Sequence, residues 1–131
     1  MTALVLDAGA LIALDRDDRA MWARLHAAEE AGDIVAAPAG VIAQAWRGGR
    51  RQALLFRALM HCDEVVLDGP IARACGRLCA GTGTADVIDA SVAVAAAEFA
   101  HHTHTAIATS DPDDIETLTS ALDARVSIIG V

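Results

Sequence analysis

Short apolar runs recur along the chain, and within each run hydrophobic residues follow one another without alternating with polar ones. Continuous runs of this kind, rich in β-branched side chains, are typical of strands that are buried on both faces of a parallel sheet. They predict strands at residues 4–6, 34–36, 65–67, 106–108 and 126–131.

Between these runs, the apolar residues recur with the spacing of helices. The predicted helices cover residues 8–15, 18–31, 39–61, 71–80, 86–100 and 113–122, with the third broken in two near Gly48 and Gly49. Strands that alternate with helices imply right-handed crossovers. We therefore predict an α/β fold, a three-layer α/β/α sandwich around a central, mainly parallel five-stranded sheet. We expect the 131 residues to form a single domain, 1–131, because two cores would each approach the lower size limit for folding.

Charge and composition narrow the chemistry. The formal charge is −8, so no overall field attracts nucleic acid or an anionic membrane, and a polyanion would have to be bound locally. All 10 basic residues are Arg and none is Lys, which excludes mechanisms that need a catalytic amine or a phosphate-loop lysine. Phosphatases of the haloacid dehalogenase type are excluded for the same reason.

Three cysteines, Cys62, Cys75 and Cys79, are an odd number and lack the spacing of a disulfide framework, which favours a reducing cytoplasm. The start of the chain lacks the basic region of a signal peptide. The longest nearly apolar stretch, residues 90–97, is far shorter than the roughly 20 residues that cross a bilayer. We expect a soluble cytoplasmic protein with no membrane association.

Aspartates stand where predicted strands end or helices begin. Asp7 closes the first strand, Asp111 closes the fourth, and Asp86 and Asp89 open the long helix. In an open parallel sheet, functional groups gather beyond the carboxyl ends of the strands, near the point where the strand order reverses. Asp86 and Asp89 are three residues apart and share one helical face.

Several carboxylates at one point repel one another, and a divalent cation removes that penalty. Oxygen ligands without a well-placed His or Cys favour Mg²⁺ or Mn²⁺ over zinc. Such an ion can polarise a phosphate oxygen and lower the pKa of its bound water. This pattern predicts metal-dependent hydrolysis of a phosphodiester.

The alternative is that these aspartates cap helices, the usual role of Asp at a helix start. Asp86 and Asp113 fit that role well. Asp7 fits it poorly, because Ala8, Gly9 and Ala10 offer no partner, and it is predicted as a site residue. Asp111 before Pro112 suits a cap, but a capping residue can also bind a ligand, and Asp111 is predicted as a site residue too.

Four segments in order resemble the PIN domain, and specifically the VapC toxins of bacterial VapBC toxin–antitoxin pairs. They are LVLDAGALIAL at 4–14, VIAQAWRGGRRQ at 41–52, TADVIDASVAVAAAE at 84–98 and IATSDPDDIETL at 107–118. The resemblance implies that Asp7, Asp89 and Asp111 bind the metal. The further catalytic and auxiliary residues that it implies are Asp86, Thr109 and Asp113 or Asp114. The family usually has a glutamate where this chain has Gln44.

The resemblance also implies an activity and partners. The activity is that of an endoribonuclease that uses Mg²⁺ or Mn²⁺ and a metal-activated water to cleave tRNA or rRNA. The partners are a cognate VapB-type antitoxin and a second copy of the chain in a homodimer. Because Gln44 carries no charge and cannot act as a base, the alternative is a catalytically weakened module that binds an antitoxin or RNA. Asp86 is the candidate to supply the missing charge.

Basic and apolar clusters suggest where partners bind. Arg47, Arg50 and Arg51 are predicted to bind RNA phosphates, or else to be ordinary solvated helix faces. Trp46 fits base stacking or, more simply, a core or interface position. The helices at 18–31 and 53–60 carry more apolar residues than a core requires, which indicates an antitoxin surface or denser internal packing.

Overall fold

Five strands lie side by side in the order β3-β2-β1-β4-β5 in a computed structural model, which describes residues 2–131. All neighbouring pairs are parallel. The strands are β1 Thr2–Leu6, β2 Ile34–Pro38, β3 Asp63–Val65, β4 His104–Thr109 and β5 Ser127–Gly130.

Helices cover both faces of the sheet. They are α1 Ala8–Asp15, α2 Arg19–Glu30, α3 Ala39–Ala45, α4 Ala53–Leu59, α5 Gly69–Thr82, α6 Val87–Ala100 and α7 Pro112–Ala121, with a 3₁₀ turn at Arg50–Gln52. Helices α2, α3 and α4 pack around α1, whereas α5 and α7 pack on α6. Right-handed crossovers place these two groups on opposite faces, which confirms the three-layer α/β/α prediction.

Alanine allows α6 to pack closely against its neighbouring helices and against the sheet. Ala90 and Ala93 are fully buried in a cluster with Cys75 and Leu78 of α5 and Leu118 of α7. Ala96 is fully buried in the larger cluster that contains the strand residues. The strands contribute larger side chains to the core, among them Val5, Leu6 and Ile107, all with no exposed surface. The apolar runs of β1 and β4 are therefore continuous because both faces of these strands are covered.

The predicted third strand is wrong by two residues. The strand is Asp63–Val65, whereas residues 66 and 67 lie beyond it with exposed fractions of 65% and 46%. Its pairing partner β2 ends at Pro38, opposite Val65, so the ladder stops there. Because β3 is at an edge of the sheet, Asp63 and Glu64 remain solvated within the strand.

The fifth helix is longer than the predicted 71–80. The Asp68 side chain accepts a hydrogen bond from the backbone N–H of Ile71, and Pro70 occupies the first turn, so α5 begins at Gly69. Gly83 ends it in the left-handed conformation, with φ of 75°.

Among residues 2–131, no single helix has the length and apolar character to cross a membrane. The one pair that passes by length and composition, α5 with α6, is bent by 111°.

Candidate active site

The carboxyl ends of β1 and β4 meet at one edge of the sheet. The two strands are neighbours, with Leu6 opposite Ala108, so Asp7 and Asp111 follow them at the same edge. The chain runs from β1 to β2 on one side and later returns to β4 on the other. The strand order therefore reverses at this pair, where α/β sheets commonly bind ligands.

Asp7 is held rigidly in this edge and is only 3% exposed. Its Oδ1 accepts a hydrogen bond from the backbone N–H of Ala10 at 2.9 Å, and its Oδ2 accepts one from Ser110 at 3.2 Å. The expectation that no residue after Asp7 offers a capping partner is wrong, because the partner is a backbone N–H and needs no polar side chain. Each oxygen keeps a further acceptor position for a ligand.

Gly9 makes the contact between Asp7 and Ser110 possible. A Cβ at position 9 would lie 2.5 Å from the Cβ of Ser110 and 3.1 Å from its backbone nitrogen. Only glycine therefore lets α1 approach the turn after β4 closely enough for Ser110 to reach Asp7. This role of Gly9 was not predicted, since no local pattern in the sequence marks it.

Asp111 is placed at the start of α7, yet its exposed side chain forms no capping hydrogen bond. The hydroxyl of Thr109, which is fully buried, instead accepts the backbone N–H of Asp111 at 2.9 Å. Thr109 thus shapes the turn, as an auxiliary residue would, and the capping role considered for Asp111 is wrong. Its carboxylate has no cap bond to lose on binding a ligand.

Asp86 caps α6, as the alternative prediction had it. Its Oδ1 accepts the backbone N–H groups of Ile88 and Asp89 at 3.1 and 3.0 Å. The backbone N–H of Asp86 in turn donates to the Thr84 hydroxyl at 3.1 Å. Asp89, half-buried in the first turn of α6, is thereby presented at the same edge.

The carboxylates act on one another electrostatically. Partial burial, followed by the negative charges of Asp86, Asp111, Asp7 and Asp114, raises the pKa of Asp89 from 3.8 to about 6. The fold therefore brings together acids from three separate segments, and a cation there would relieve their repulsion. Of the two auxiliary acids considered, it is Asp114 whose charge contributes to this shift.

The donor set fits a hard cation by its chemistry, because it consists of carboxylate oxygens. The side chains do not form a ready-made cage. In the part of the chain that the structure describes, no group of three or more His, Cys, Asp or Glu side chains is placed to hold a metal ion. Asp7 is the fixed member, so a shared ion requires the side chains of Asp89 and Asp111 to turn toward it.

Asp89→Asn is expected to raise the free energy of unfolding by about 1 kcal/mol near pH 7.5 in chelator-treated buffer. A shift from 3.8 to about 6 would correspond to ~3 kcal/mol, which solvent screening of this half-buried group reduces. Because the pKa is raised in the folded protein, Asp89 contributes stability that is complete below about pH 4 and is lost as pH rises through about 6. Urea unfolding across this range would contradict the prediction if the variant's advantage persisted at about pH 4.

Gln44 and the arginine cluster lie on or after α3. Gln44 is exposed and adds no charge to the carboxylates. Arg47, Arg50 and Arg51 are exposed in the segment after α3, and the RNA-binding role stays a prediction. Arg47 turns back on its own helix, where its Nη1 donates to the carbonyl oxygens of Ala43 and Trp46 at 3.3 and 2.7 Å.

Gln52 holds this segment in place, a role that was not predicted from the sequence. Its Oε1 accepts the backbone N–H groups of Arg47 and Gly48 at 2.6 and 3.0 Å, and its Nε2 donates to the carbonyl of Ala45 at 2.8 Å. A glutamine three residues after two consecutive glycines is a signal for such loop closure, but a weak one.

Solved structures share this fold although their sequences differ widely. A chain in the crystal structure of VapBC2 from Rickettsia felis, bound to a DNA fragment from their promoter, has a TM-score of 0.69 and 11% identity over 98% of both chains. A chain of FitAB bound to an IR36 DNA fragment has a TM-score of 0.65 and 15% identity over 97% of this chain and 94% of that one. A chain of FitAcB from Neisseria gonorrhoeae has a TM-score of 0.61 and 16% identity over 97% of this chain and 96% of that one.

The likeness extends over nearly the whole length of each chain, which confirms the predicted PIN-like fold. At these identities it establishes the fold alone. No model of a protein family matches the chain, and no curated protein matches its sequence.

Proposed function

We propose that this chain is a Mg²⁺- or Mn²⁺-dependent endoribonuclease and the toxin of a type II toxin–antitoxin pair. The observation that carries the proposal is the convergence of Asp7, Asp89 and Asp111, from three separate segments, on the edge where the strand order reverses. Two further observations support it: four segments of the sequence resemble those of VapC toxins, and the chain shares its fold with chains of VapBC2 and FitAB.

The proposed role of each aspartate follows from the hydrogen bonds that its carboxylate forms. Asp7 provides a fixed ligand, because two backbone N–H groups orient its carboxylate. Asp89 and Asp111 complete the set, and Asp86 keeps the first turn of α6 in position through its cap. A bound Mg²⁺ or Mn²⁺ would supply Lewis-acid activation of the phosphate and of water.

An exposed apolar surface supports the proposal of a protein partner. Trp46, Phe56 and Met60 are exposed by 37%, 56% and 71%, and the two aromatic rings lie 6.4 Å apart. With Ile42 and Leu59 they line a groove of about 340 Å³. We assign this groove to the cognate VapB-type antitoxin, consistent with the VapBC2 and FitAB assemblies. A homodimer and a cytoplasmic location belong to the same proposal.

A second candidate is a binding module without catalysis, for an antitoxin or RNA. Two observations favour it: the neutral Gln44 replaces the family's glutamate, and the described carboxylates form no preformed cage. Such a module would need neither a metal nor a water nucleophile, and the experiment below separates it from the enzyme.

Asp111→Asn is expected to reduce cleavage of total RNA in Mn²⁺ at least about tenfold and to weaken Mn²⁺ binding measured by calorimetry. This variant tests the site cleanly because the Asp111 carboxylate forms no capping bond that folding depends on. Asp123→Asn is the matched control, with the same loss of charge in the turn after α7 and a φ of 52° that Asn tolerates. RNA left intact by the wild-type protein would refute the enzyme and support the module.

A further inference from the structure

Two cavities follow one another along the groove between α5 and α7 and share Thr82. The first, of about 240 Å³, is lined by Asp89 and Asp114 of the candidate site. The second, of about 380 Å³, is lined by Arg77 and by the residues at the end of α7. The groove therefore starts at the carboxylates and continues along the length of α7, whose 10 residues span about 15 Å.

The first cavity presents hydrogen-bond acceptors. The hydroxyls of Thr82 and Thr117 donate to the carbonyls of Leu78 and Asp113 at 2.8 and 3.1 Å, which leaves their lone pairs free. No described basic residue lines this cavity. It would repel a phosphate and suits a group that donates hydrogen bonds, such as the amino group of a base. Its volume of about 240 Å³ is below the roughly 300–1,000 Å³ of drug-sized sites and fits one base.

The second cavity contains an uncommitted cation. Arg77 is exposed and forms no ion pair with any acid among residues 2–131. Arg73, one turn earlier on α5, instead folds back toward the start of the helix, where its Nη1 lies 3.4 Å from the position a Cβ would take on Gly69. A guanidinium free of acids suits a phosphate, and Arg77 alone of the two faces the groove.

We infer that this groove carries single-stranded RNA away from the cleavage point, with the base beside the scissile phosphate in the first cavity and a following phosphate on Arg77. The inference rests on the proposed ribonuclease function and names the substrate path for it. It shifts the main phosphate contact from the predicted cluster at Arg47, Arg50 and Arg51 to the opposite face of the sheet.

The phosphate contact is tested with fluorescein-labelled, 2′-O-methylated single-stranded RNA, which resists cleavage, by anisotropy in Mn²⁺ at several salt concentrations. Arg77→Ala is expected to weaken binding on the order of tenfold and to reduce the slope of log affinity against log salt by about 0.7. Arg77→Lys should restore most of the affinity, and Arg73→Ala is the matched control, expected to bind like the wild type.

The base contact is tested with oligocytidine and oligouridine. Cytosine has an amino group with two donor hydrogens at C4 and an accepting N3, whereas uracil has an accepting carbonyl at C4 and a single donor hydrogen at N3. Oligocytidine should bind severalfold more tightly, and Thr117→Val should reduce that preference. The inference would be overturned by equal binding of the two oligonucleotides, or by equal losses of affinity in Arg77→Ala and Arg73→Ala. In either case, cleavage of RNA by the wild-type protein would still support the proposed ribonuclease function. A wild-type protein that neither binds nor cleaves RNA would refute both.

Discussion

Asp7→Asn is expected to lower RNA cleavage to less than about one hundredth and to reduce the free energy of unfolding by about 1–2 kcal/mol. The loss of activity follows from the proposed function, in which Asp7 is the fixed ligand of the metal and its amide would carry no charge. The loss of stability follows because an amide has one accepting atom, whereas the Asp7 carboxylate accepts from both Ala10 and Ser110. The amide NH₂ would then face a backbone N–H, and a part-buried donor would be left without an acceptor.

Cleavage of total RNA in Mn²⁺ and urea unfolding of the same preparations measure the two effects. Asp89→Asn is the informative comparison, because it should also remove activity while raising stability near neutral pH. The two variants therefore separate the loss of a ligand from the loss of the fold. Wild-type stability in Asp7→Asn would show that the hydrogen bonds to Ala10 and Ser110 contribute little to folding.

Gly9→Ala is expected to destabilise the protein by about 2–3 kcal/mol, although only one methyl group is added. Its Cβ would overlap the Ser110 side chain, with a separation of 2.5 Å from the Ser110 Cβ. The turn after β4 would have to move outward, which breaks the hydrogen bond from Ser110 to Asp7 and displaces the nearby Asp111. Both thermal stability and RNA cleavage should fall.

The double variant Gly9→Ala with Ser110→Gly tests this cause directly. Removing the Ser110 side chain leaves its backbone nitrogen as the nearest atom, 3.1 Å from the added Cβ, a contact that a small shift relieves. The double variant should recover most of the stability lost in Gly9→Ala. Additive losses would instead place the strain elsewhere in α1. Gly76→Ala, in the exposed part of α5 with open space around it, is the matched control.

The central strands and the placement of Asp7 and Asp111 could be predicted because a strand that is buried on both faces has a continuous run of apolar residues. Continuous apolar runs identify β1 and β4, and an aspartate one or two residues after such a strand lies at the carboxyl edge of the sheet. The edge strand β3 could not be located in the same way. It contains the solvated Asp63 and Glu64, and its limits depend on where β2 ends rather than on its own composition.

The roles of Gly9 and Gln52 could not be predicted for a different reason. Gly9 matters because of Ser110, which lies about a hundred residues later in the chain, and such a contact leaves no local pattern. Gln52 acts on backbone groups, and any segment has those groups whatever its side chains. The cap formed by Asp7 cannot be predicted from neighbouring polar side chains, because its partner is the backbone N–H of Ala10.

The pairing of β1 with β4 has a consequence for how the protein is made. During synthesis β1 acquires its second neighbour, β4, only when residues 104–108 have been added, about a hundred residues after β1 itself. Until then Asp7 lacks the Ser110 amide that orients it, and Asp111 does not yet exist. A chain interrupted before residue 104 therefore could not assemble the proposed site, because its carboxylates come together only after β4 has paired with β1.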